Sequence, residues 1–296
     1  MKTCIICNPL AGGTDHAEET TEKLRALDSA TVHLTSAAGD ATAMARAAVA
    51  EGFETIVAAG GDGTLNEIIN GIAPHSTEVR VGLIPLGTGN DFARMLSLPS
   101  SVEECLDVVR ARNTRVIDLV RVTSDEVRYF VNVSAGGFSG IVNEQLTPEL
   151  KQTWGPLAYL RGAAAALPEL HAYRTTITLD DHDSLELDLY NIIVANGRFV
   201  AGGTPVAPEA EIDDGLLDVV LVPNRPGSEI AVMVAQMLVG AHLSSDAIVF
   251  RRAAKVGVES RPGMWFNVDG ELVGNEPATF EIIPRALQFL VPVVKQ

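Results

Sequence analysis

Apolar residues in the first third of the chain come in short unbroken blocks. Between the blocks they recur every third or fourth position. The blocks Lys2 to Cys7, Thr31 to Leu34, Thr55 to Ala59 and Val81 to Ile84 read as buried strands, because strands covered on both faces lack polar alternation. Asp15 to Leu27 reads as a polar-faced helix, Asp40 to Glu51 as an Ala-rich helix and Thr64 to Gly71 as a third. Asp91 to Met95 and Val102 to Arg110 continue the helical pattern. Strand and helix in strict alternation predict a three-layer α/β domain, a parallel sheet with helices on both faces.

The pattern changes after Arg115. Thr114 to Val122, Tyr129 to Ser134, Arg174 to Leu179, Leu185 to Ala195 and Leu216 to Val222 read as strands. Ala253 to Glu259, Met264 to Val268 and Ala278 to Ile283 add more. The clearest helices are Tyr159 to Leu170 and Gly227 to Val239. This half is expected to be a mainly antiparallel β domain. No low-complexity linker marks the change near residue 120, so the halves are expected to pack closely around a cleft. No tandem repeat is present.

Composition narrows the function. The 296 residues include 38 acidic and 22 basic side chains, a formal net charge of −16. Broad electrostatic binding of nucleic acid needs the opposite sign, and attraction of the whole molecule to anionic lipid is disfavoured too. A hydrophobic content of 47% supports a substantial core. The three cysteines, Cys4, Cys7 and Cys105, fit a reducing cytoplasm. Cys4 and Cys7 have CxxC spacing, but on a strand they point to opposite faces, so small buried hydrophobes are favoured over a metal or redox pair. The six histidines show no ligand spacing. No segment reaches the ~18 apolar residues of a membrane span, and Asn8-Pro9 and Gly12-Gly13 interrupt any leader-like start. A cytoplasmic protein, touching membranes peripherally if at all, is expected.

The candidate chemistry starts at Ile56-Val-Ala-Ala-Gly-Gly-Asp-Gly-Thr-Leu-Asn-Glu67. A strand ends in glycines and a helix follows. Free N–H groups and the helix dipole at such a junction favour phosphate. Thr64 reads as the N-cap and Glu67 as its capping-box partner. Asp62 beside phosphates needs a cation between, which suggests a nucleotide carried with Mg2+. Pro85-Leu-Gly-Thr-Gly-Asn-Asp-Phe-Ala-Arg94 repeats the logic, with Thr88 to bond a nucleotide and Asp91 as a metal-water ligand or a cap. Asn8-Pro-Leu-Ala-Gly12, after the first strand, could hold a phosphate or ribose. In Asn267-Val-Asp-Gly-Glu271, Asp269 could accept the proton of a substrate hydroxyl, although Asp-Gly is also a common hairpin turn. The acids of Pro208 to Asp218 could bind a hard cation or form an exposed acidic turn.

Taken in order, Asn8-Pro-x-Ala-Gly, Gly60-Gly-Asp-Gly-Thr-x-Asn-Glu67, Pro85-Leu-Gly-Thr-x-Asn-Asp-Phe-Ala-Arg94, the Asp118 strand, the Asp214-Gly turn and Val268-Asp-Gly-Glu271 span nearly the whole chain. In these pieces the chain resembles the diacylglycerol kinase catalytic-domain family, whose relatives include sphingosine and ceramide kinases. It looks most like the soluble bacterial-type members. The resemblance implies an NAD kinase/diacylglycerol kinase-like fold. Residues 1–120 with about 285–296 would form the ATP-binding α/β domain, and residues 121–284 a β-sandwich-like lipid-substrate domain, with Leu287 to Val293 packed back onto the first. It implies ATP- and Mg2+-dependent phosphorylation of a lipid hydroxyl.

Nucleotide contacts would come from Asn8, Pro9, Ala11, Gly12, Thr35, Gly60, Gly61, Asp62, Gly63, Thr64, Asn66, Glu67, Thr88 and Asn90. Asp269 would be the general base with Glu271 near it. Asp62, Asp91 and Asp118 would form an acidic network linked through water to the catalytic Mg2+. Glu211, Asp214 and the carbonyl of Leu216 would hold a second, structural divalent cation.

Two other readings stay open. NAD kinases share Gly-Gly-Asp-Gly-Thr, but no second motif of theirs is evident. A catalytically silent nucleotide or lipid sensor would keep the glycines without needing every acid. Arg161, Arg174, Arg198, Arg251 and Arg252 either make a local basic patch or decorate a surface. The apolar, Ala-rich segment Trp154 to Leu170 either walls a lipid entry or packs as core. The lipid is not named by any motif, and a homodimer is possible.

Overall fold

The apolar blocks of the first third become adjacent parallel strands in the computed structural model. It describes residues 2–13, 17–28, 30–73, 78–137, 171–275 and 277–293. Strand β1 (Thr3–Cys7) pairs with β2 (Ala30–Leu34) on one side and β3 (Thr55–Gly60) on the other. Strand β4 (Arg80–Pro85) follows β3. Every residue of β1 and β3 is buried, as expected of central parallel strands covered on both faces.

The helices are α1 (Ala17–Arg25), α2 (Asp40–Ala50), α3 (Asp62–Ile72), α4 (Asp91–Met95) and α5 (Val102–Ala111). Helix α5 starts on a Ser101 cap, whose hydroxyl accepts the Glu104 N–H at 3.3 Å. Its buried Cys105, Leu106 and Val109 join Ile5, Cys7, Leu24, Val57 and Ile84 in one apolar core. Cys4 and Cys7 are buried and unbridged, as small core residues.

The chain divides into two units, Met1–Leu119 with Pro284–Gln296, and Val120–Ile283. The returning segment gives the first unit one more parallel partner, with Gln288 and Phe289 in register with Arg80 and Val81 of β4. Phe289 packs edge-on to Phe92, ring centroids 5.3 Å apart.

The second unit is antiparallel β. Strand β5 (Thr114–Thr123) enters it and pairs with β6 (Val127–Phe130). The unit continues with β7 (Val133–Gly137), β8 (Tyr173–Leu179) and β9 (Asp183–Ala195). Strand β9 pairs with β7, β8 and β12 (Leu217–Pro223), while β10 (Phe199–Val200) and β11 (Thr204–Pro205) form a small hairpin. After helix α6 (Gly227–Met237) come β13 (Val249–Ala253), β14 (Lys255–Arg261), β15 (Phe266–Val268), β16 (Glu271–Gly274) and β17 (Ala278–Leu290). One core runs through Val120, Phe130, Leu189, Val219, Val256, Phe266 and Phe280.

Three expected strands differ. Tyr129 to Ser134 is two strands, parted at Val131-Asn132, where side chains of Asn196 and Asp269 take backbone groups of the connecting peptides. Ala253 to Glu259 belongs to β13 and β14, which part at Ala254. There Asp180 Oδ1 accepts the N–H groups of Ala254 and Lys255. The strand expected to stop at Ile283 runs on to Leu290. The expected helix Tyr159 to Leu170, the segment Trp154 to Leu170 and Arg161 lie outside the described residues. Among the described residues no helix is long and apolar enough to cross a membrane.

Candidate functional site

In the first unit, three loops gather at the carboxyl ends of β1, β3 and β4. The chain after β1 turns on Asn8, whose Oδ1 accepts the Leu10 N–H at 3.0 Å and whose carbonyl accepts the Ala11 N–H at 3.2 Å. Gly12 then takes φ +73°, and a Cβ there would stand 2.2 Å from the Leu86 carbonyl oxygen. No side chain larger than hydrogen lets these loops approach so closely. Cys7, Asn8, Pro9, Ala11, Gly12 and Leu86 line a hollow of about 250 Å3. Thr35 stands at the end of the neighbouring strand, its N–H donating to the Cys7 carbonyl at 2.9 Å.

The two glycine loops pack back to back. Leu86 N–H donates to the Gly60 carbonyl at 2.9 Å, and a Cβ on Gly87 would fall 2.6 Å from the Gly61 Cα. Asn90 closes its own loop: its Oδ1 accepts the Gly87 N–H at 3.0 Å, and its Nδ2 donates to the Gly87 carbonyl at 2.6 Å. Thr88 is exposed beside it, and Gly63 is exposed in the first turn of α3.

The capping box is not formed. Helix α3 starts at Asp62 with Gly61 as its N-cap, and among the described residues no side chain caps it. Thr64 is buried inside the first turn because it packs over Gly60, where a Cβ would meet its hydroxyl at 2.4 Å. Glu67 turns away to the neighbouring helix, where its Oε2 accepts the Ala41 N–H of α2 at 3.0 Å. Asn66 is buried and its Oδ1 accepts Asn70 Nδ2 at 3.2 Å. The uncapped α3 terminus leaves first-turn N–H groups for an anion.

Asp62 bridges the loops. Its two carboxylate oxygens accept the Asp91 and Phe92 N–H groups, each at 3.1 Å, so Asp62 caps α4 from outside. Asp91 is the first residue of α4 rather than its cap, and it is buried. Asp118 is fully buried and accepts the Arg285 N–H at 2.6 Å. The residues therefore fit phosphate through glycine loops and an open helix end. Among the described residues, no three His, Cys, Asp or Glu side chains gather as a metal cage. Mg2+ commonly rides on one or two carboxylates plus substrate phosphates and water, so the donor set fits a metal that arrives with the nucleotide.

In the second unit, Asp269 sits at the tip of the β15–β16 hairpin. Asp269 and Gly270 have φ +44° and +99° between the paired residues Val268 and Glu271. That is the two-residue turn with both central φ positive, matching the strand twist. The turn is thus real, and the carboxylate is also fixed: Oδ1 accepts the Val133 N–H at 3.0 Å and Oδ2 the Val131 N–H at 3.4 Å. The Asp269 N–H donates to the Val133 carbonyl at 3.1 Å. Glu271 opens β16, half exposed, with Arg128 Nη1 3.8 Å away.

Two acids of the stretch Pro208 to Asp218, Asp214 and Asp218, are already paired. Asp214 Oδ1 accepts the Leu216 N–H at 3.0 Å, its Oδ2 meets Arg252, and Arg252 Nε donates to the buried Asp218 at 2.8 Å. Burial pushes the Asp218 carboxyl up, with Arg252 opposing. Glu211 is exposed. Of the suggested basic patch, Arg198 Nε donates to the Ala210 carbonyl and Arg251 Nη1 to the Phe250 carbonyl.

Sequence reasoning did not single out Asn132 or Asn196, which flank the Asp269 turn. The available signal was one amide interrupting an apolar run, Asn132, and another closing the run Ile192 to Ala195, Asn196.

A family model described as "Diacylglycerol kinase catalytic domain" matches residues 2–122, and one described as "YegS C-terminal NAD kinase beta sandwich-like domain" matches residues 132–291. The chain is 32% identical to a diacylglycerol kinase of Staphylococcus carnosus, over 97% of this chain and 94% of that one. It is 31% identical to one of Staphylococcus aureus, over 97% and 91%. A crystal structure of a Bacillus anthracis protein aligns with TM-score 0.85 at 24% identity, covering 98% of this chain and 95% of that one. An NAD kinase of Archaeoglobus fulgidus in complex with ATP aligns with TM-score 0.53 at 16% identity, covering 98% and 93%. These two structures speak to the fold alone.

Proposed function

This chain belongs to the diacylglycerol kinase catalytic-domain family, and we propose that it moves the γ-phosphoryl group of ATP onto a lipid hydroxyl, diacylglycerol or a related lipid alcohol. In the proposed step the acceptor oxygen forms a bond to the γ-phosphorus. The bond from that phosphorus to the β–γ bridging oxygen breaks, ADP leaves, and the hydroxyl proton passes to the Asp269 carboxylate. Mg2+ travelling with ATP supplies charge neutralisation on the phosphates.

The first unit's part is to hold the donor. The Gly60–Gly63 and Gly87–Asn90 loops offer backbone N–H groups with little side-chain bulk, and the Asn8 to Gly12 turn, whose Leu10 and Ala11 N–H groups are already donated to Asn8, walls the hollow beside them. Asp62 keeps the two glycine loops together. The second unit's part is to hold the proton acceptor. A lipid alcohol is a poor nucleophile, and positioned base assistance contributes about 10²–10⁴-fold.

The observation that carries this reading is the state of Asp269. A solvent-facing Asp-Gly turn needs no side-chain anchoring, yet both oxygens of this carboxylate are held by backbone N–H groups. The fixed geometry suits a group that must meet one hydroxyl.

The test is incubation with labelled ATP, Mg2+ and a total lipid extract, followed by identification of the labelled product, with NAD as a parallel acceptor. Label in a phosphorylated lipid supports the reading. Label in NADP alone replaces the lipid with NAD, and ATP binding without any labelled product leaves a sensor. In the same assay Asp269→Asn is expected to lose at least about 100-fold in turnover with ATP affinity retained. Near-normal turnover would remove the base assignment.

A further inference from the structure

We infer that Asn196 is a positioning residue for the phosphoryl-acceptor site, acting on Asp269 through the peptide segment Val131–Val133. This rests on the reading of Asp269 as the base.

Strand β9 ends in the apolar run Ile192 to Ala195, and Asn196 follows it, fully buried. A buried amide is kept only where its donors find acceptors. Here Asn196 Nδ2 donates to the Val131 carbonyl at 2.8 Å. The backbone N–H groups of Asn196 and Gly197 both donate to the Asn132 carbonyl at 2.8 Å. Three donors from two consecutive residues therefore grip two consecutive carbonyls. Asn132 is tied further by its own Nδ2, which donates to the Phe199 carbonyl at 2.9 Å.

The opposite side of the same segment carries Asp269. The Val131 and Val133 N–H groups are the ones its two carboxylate oxygens accept, and the Asp269 N–H returns to the Val133 carbonyl. So the segment that parts β6 from β7 is a short bar held at one edge by Asn196-Gly197 and at the other by Asp269. The link is direct: at Val131, the carbonyl receives Asn196 while the N–H of the same residue reaches Asp269.

This explains why the strand breaks there. A continuous β-ladder would satisfy these peptides with backbone partners alone. The interruption hands the Val131 carbonyl and the Val131 and Val133 N–H groups to side chains, and the one on the far side from Asp269 is a fully buried amide. Without Asn196 Nδ2 the Val131 carbonyl loses its donor, the Val131 end of the bar loosens while Asn132 stays held, and the N–H that Asp269 Oδ2 accepts shifts with it. A base aligned on one hydroxyl needs this placement kept.

The experiment is a double-mutant cycle on the full chain with Asn196→Ala, Asp269→Asn and the pair, assayed with labelled ATP and dioleoylglycerol micelles. Asn196→Ala is expected to lower kcat about 10- to 100-fold, the scale of a displaced reacting group, with the KM for ATP nearly unchanged. In the Asp269→Asn background the same substitution is expected to add less than about twofold, because residues acting as a unit are not additive. A purely structural role predicts equal losses in both backgrounds, and that result overturns the proposal. So does wild-type kcat in Asn196→Ala when Asp269→Asn is inactive. If Asp269→Asn itself turns over normally, the base assignment has failed, and the positioning role falls with it. Should Asn196→Ala not fold, Asn196→Ser, which retains a short donor, is put through the same cycle with the same criteria.

Discussion

The carboxylate of Asp118 accepts the main-chain N–H of Arg285 across 2.6 Å and 167 positions of sequence. Asp118 is fully buried near the end of the first unit's outgoing chain. Arg285 stands in the returning strand with φ +54°. A left-handed residue in a strand is unfavourable unless something fixes it. An acid that reads in sequence as a member of a metal-linked network is thus a backbone anchor at the point of return. Asp118→Ala is expected to destabilise by roughly 1–3 kcal/mol, the usual penalty for stripping a buried N–H of its acceptor. Urea unfolding measures it, and an unchanged midpoint would show that the anchor is dispensable.

Gly12 offers a test of the nucleotide half. An alanine would need φ near +73° and would press on the Leu86 carbonyl. Gly12→Ala is expected to push the first turn from the β4 loop and weaken ATP binding about tenfold or more, as a positive-φ glycine carrying a close contact should. Calorimetric titration with ATP reads this. Equal affinity would mean that the hollow beside Leu86 does not receive the nucleotide.

The cysteines should be inert. Burial pushes the Cys4 thiol up to about 12 and the Cys7 and Cys105 thiols up to about 11. The thiolate is the reactive form, so native protein near neutral pH is expected to leave all three unlabelled by a disulfide reagent, with all three reacting in denaturant. Rapid labelling in the native state would contradict the burial.

His242 should make the second unit sensitive to acid. Its Nε2 lies 2.9 Å from the Val206 carbonyl and so carries the proton, while the buried Nδ1 has no partner among the described residues. Burial lowers its pKa below the ordinary 6.5, with the Val206 hydrogen bond opposing. The unfolded chain therefore binds a proton at pH values where the folded chain does not. This contribution is complete above 6.5 and is lost as pH falls below it. Unfolding midpoints measured from about pH 8 to about pH 5 are expected to fall more in the wild type than in His242→Gln. Parallel curves would assign the acid sensitivity elsewhere.

The first unit was legible because its signals are local. The strand Thr55–Gly60 is buried at every position, as an unbroken apolar block implies, and glycines mark where it stops. Legibility ended where a side chain reaches across the chain. Glu67 satisfies every local rule for capping its own helix, yet it serves the N–H of Ala41. Asp62 was recognisable as an acid out of place, but its partners at Asp91 and Phe92 exist only once two separate loops meet. The breaks at Val131-Asn132 and Ala254 have the same origin, since Asp269 and Asp180 claim those peptides from distant positions. Propensity had nothing to say about either.

The division of the first unit between the two ends of the chain has a consequence during synthesis. Strands β1 to β4 leave the ribosome early, but Gln288 and Phe289, which flank β4, come after the whole second unit. Until then the nascent β4 presents bare backbone and Phe92 lacks its ring partner. The part made first is finished last, so a stalled or prematurely terminated chain would present an adhesive sheet edge, and chaperone demand should peak before the last strand emerges.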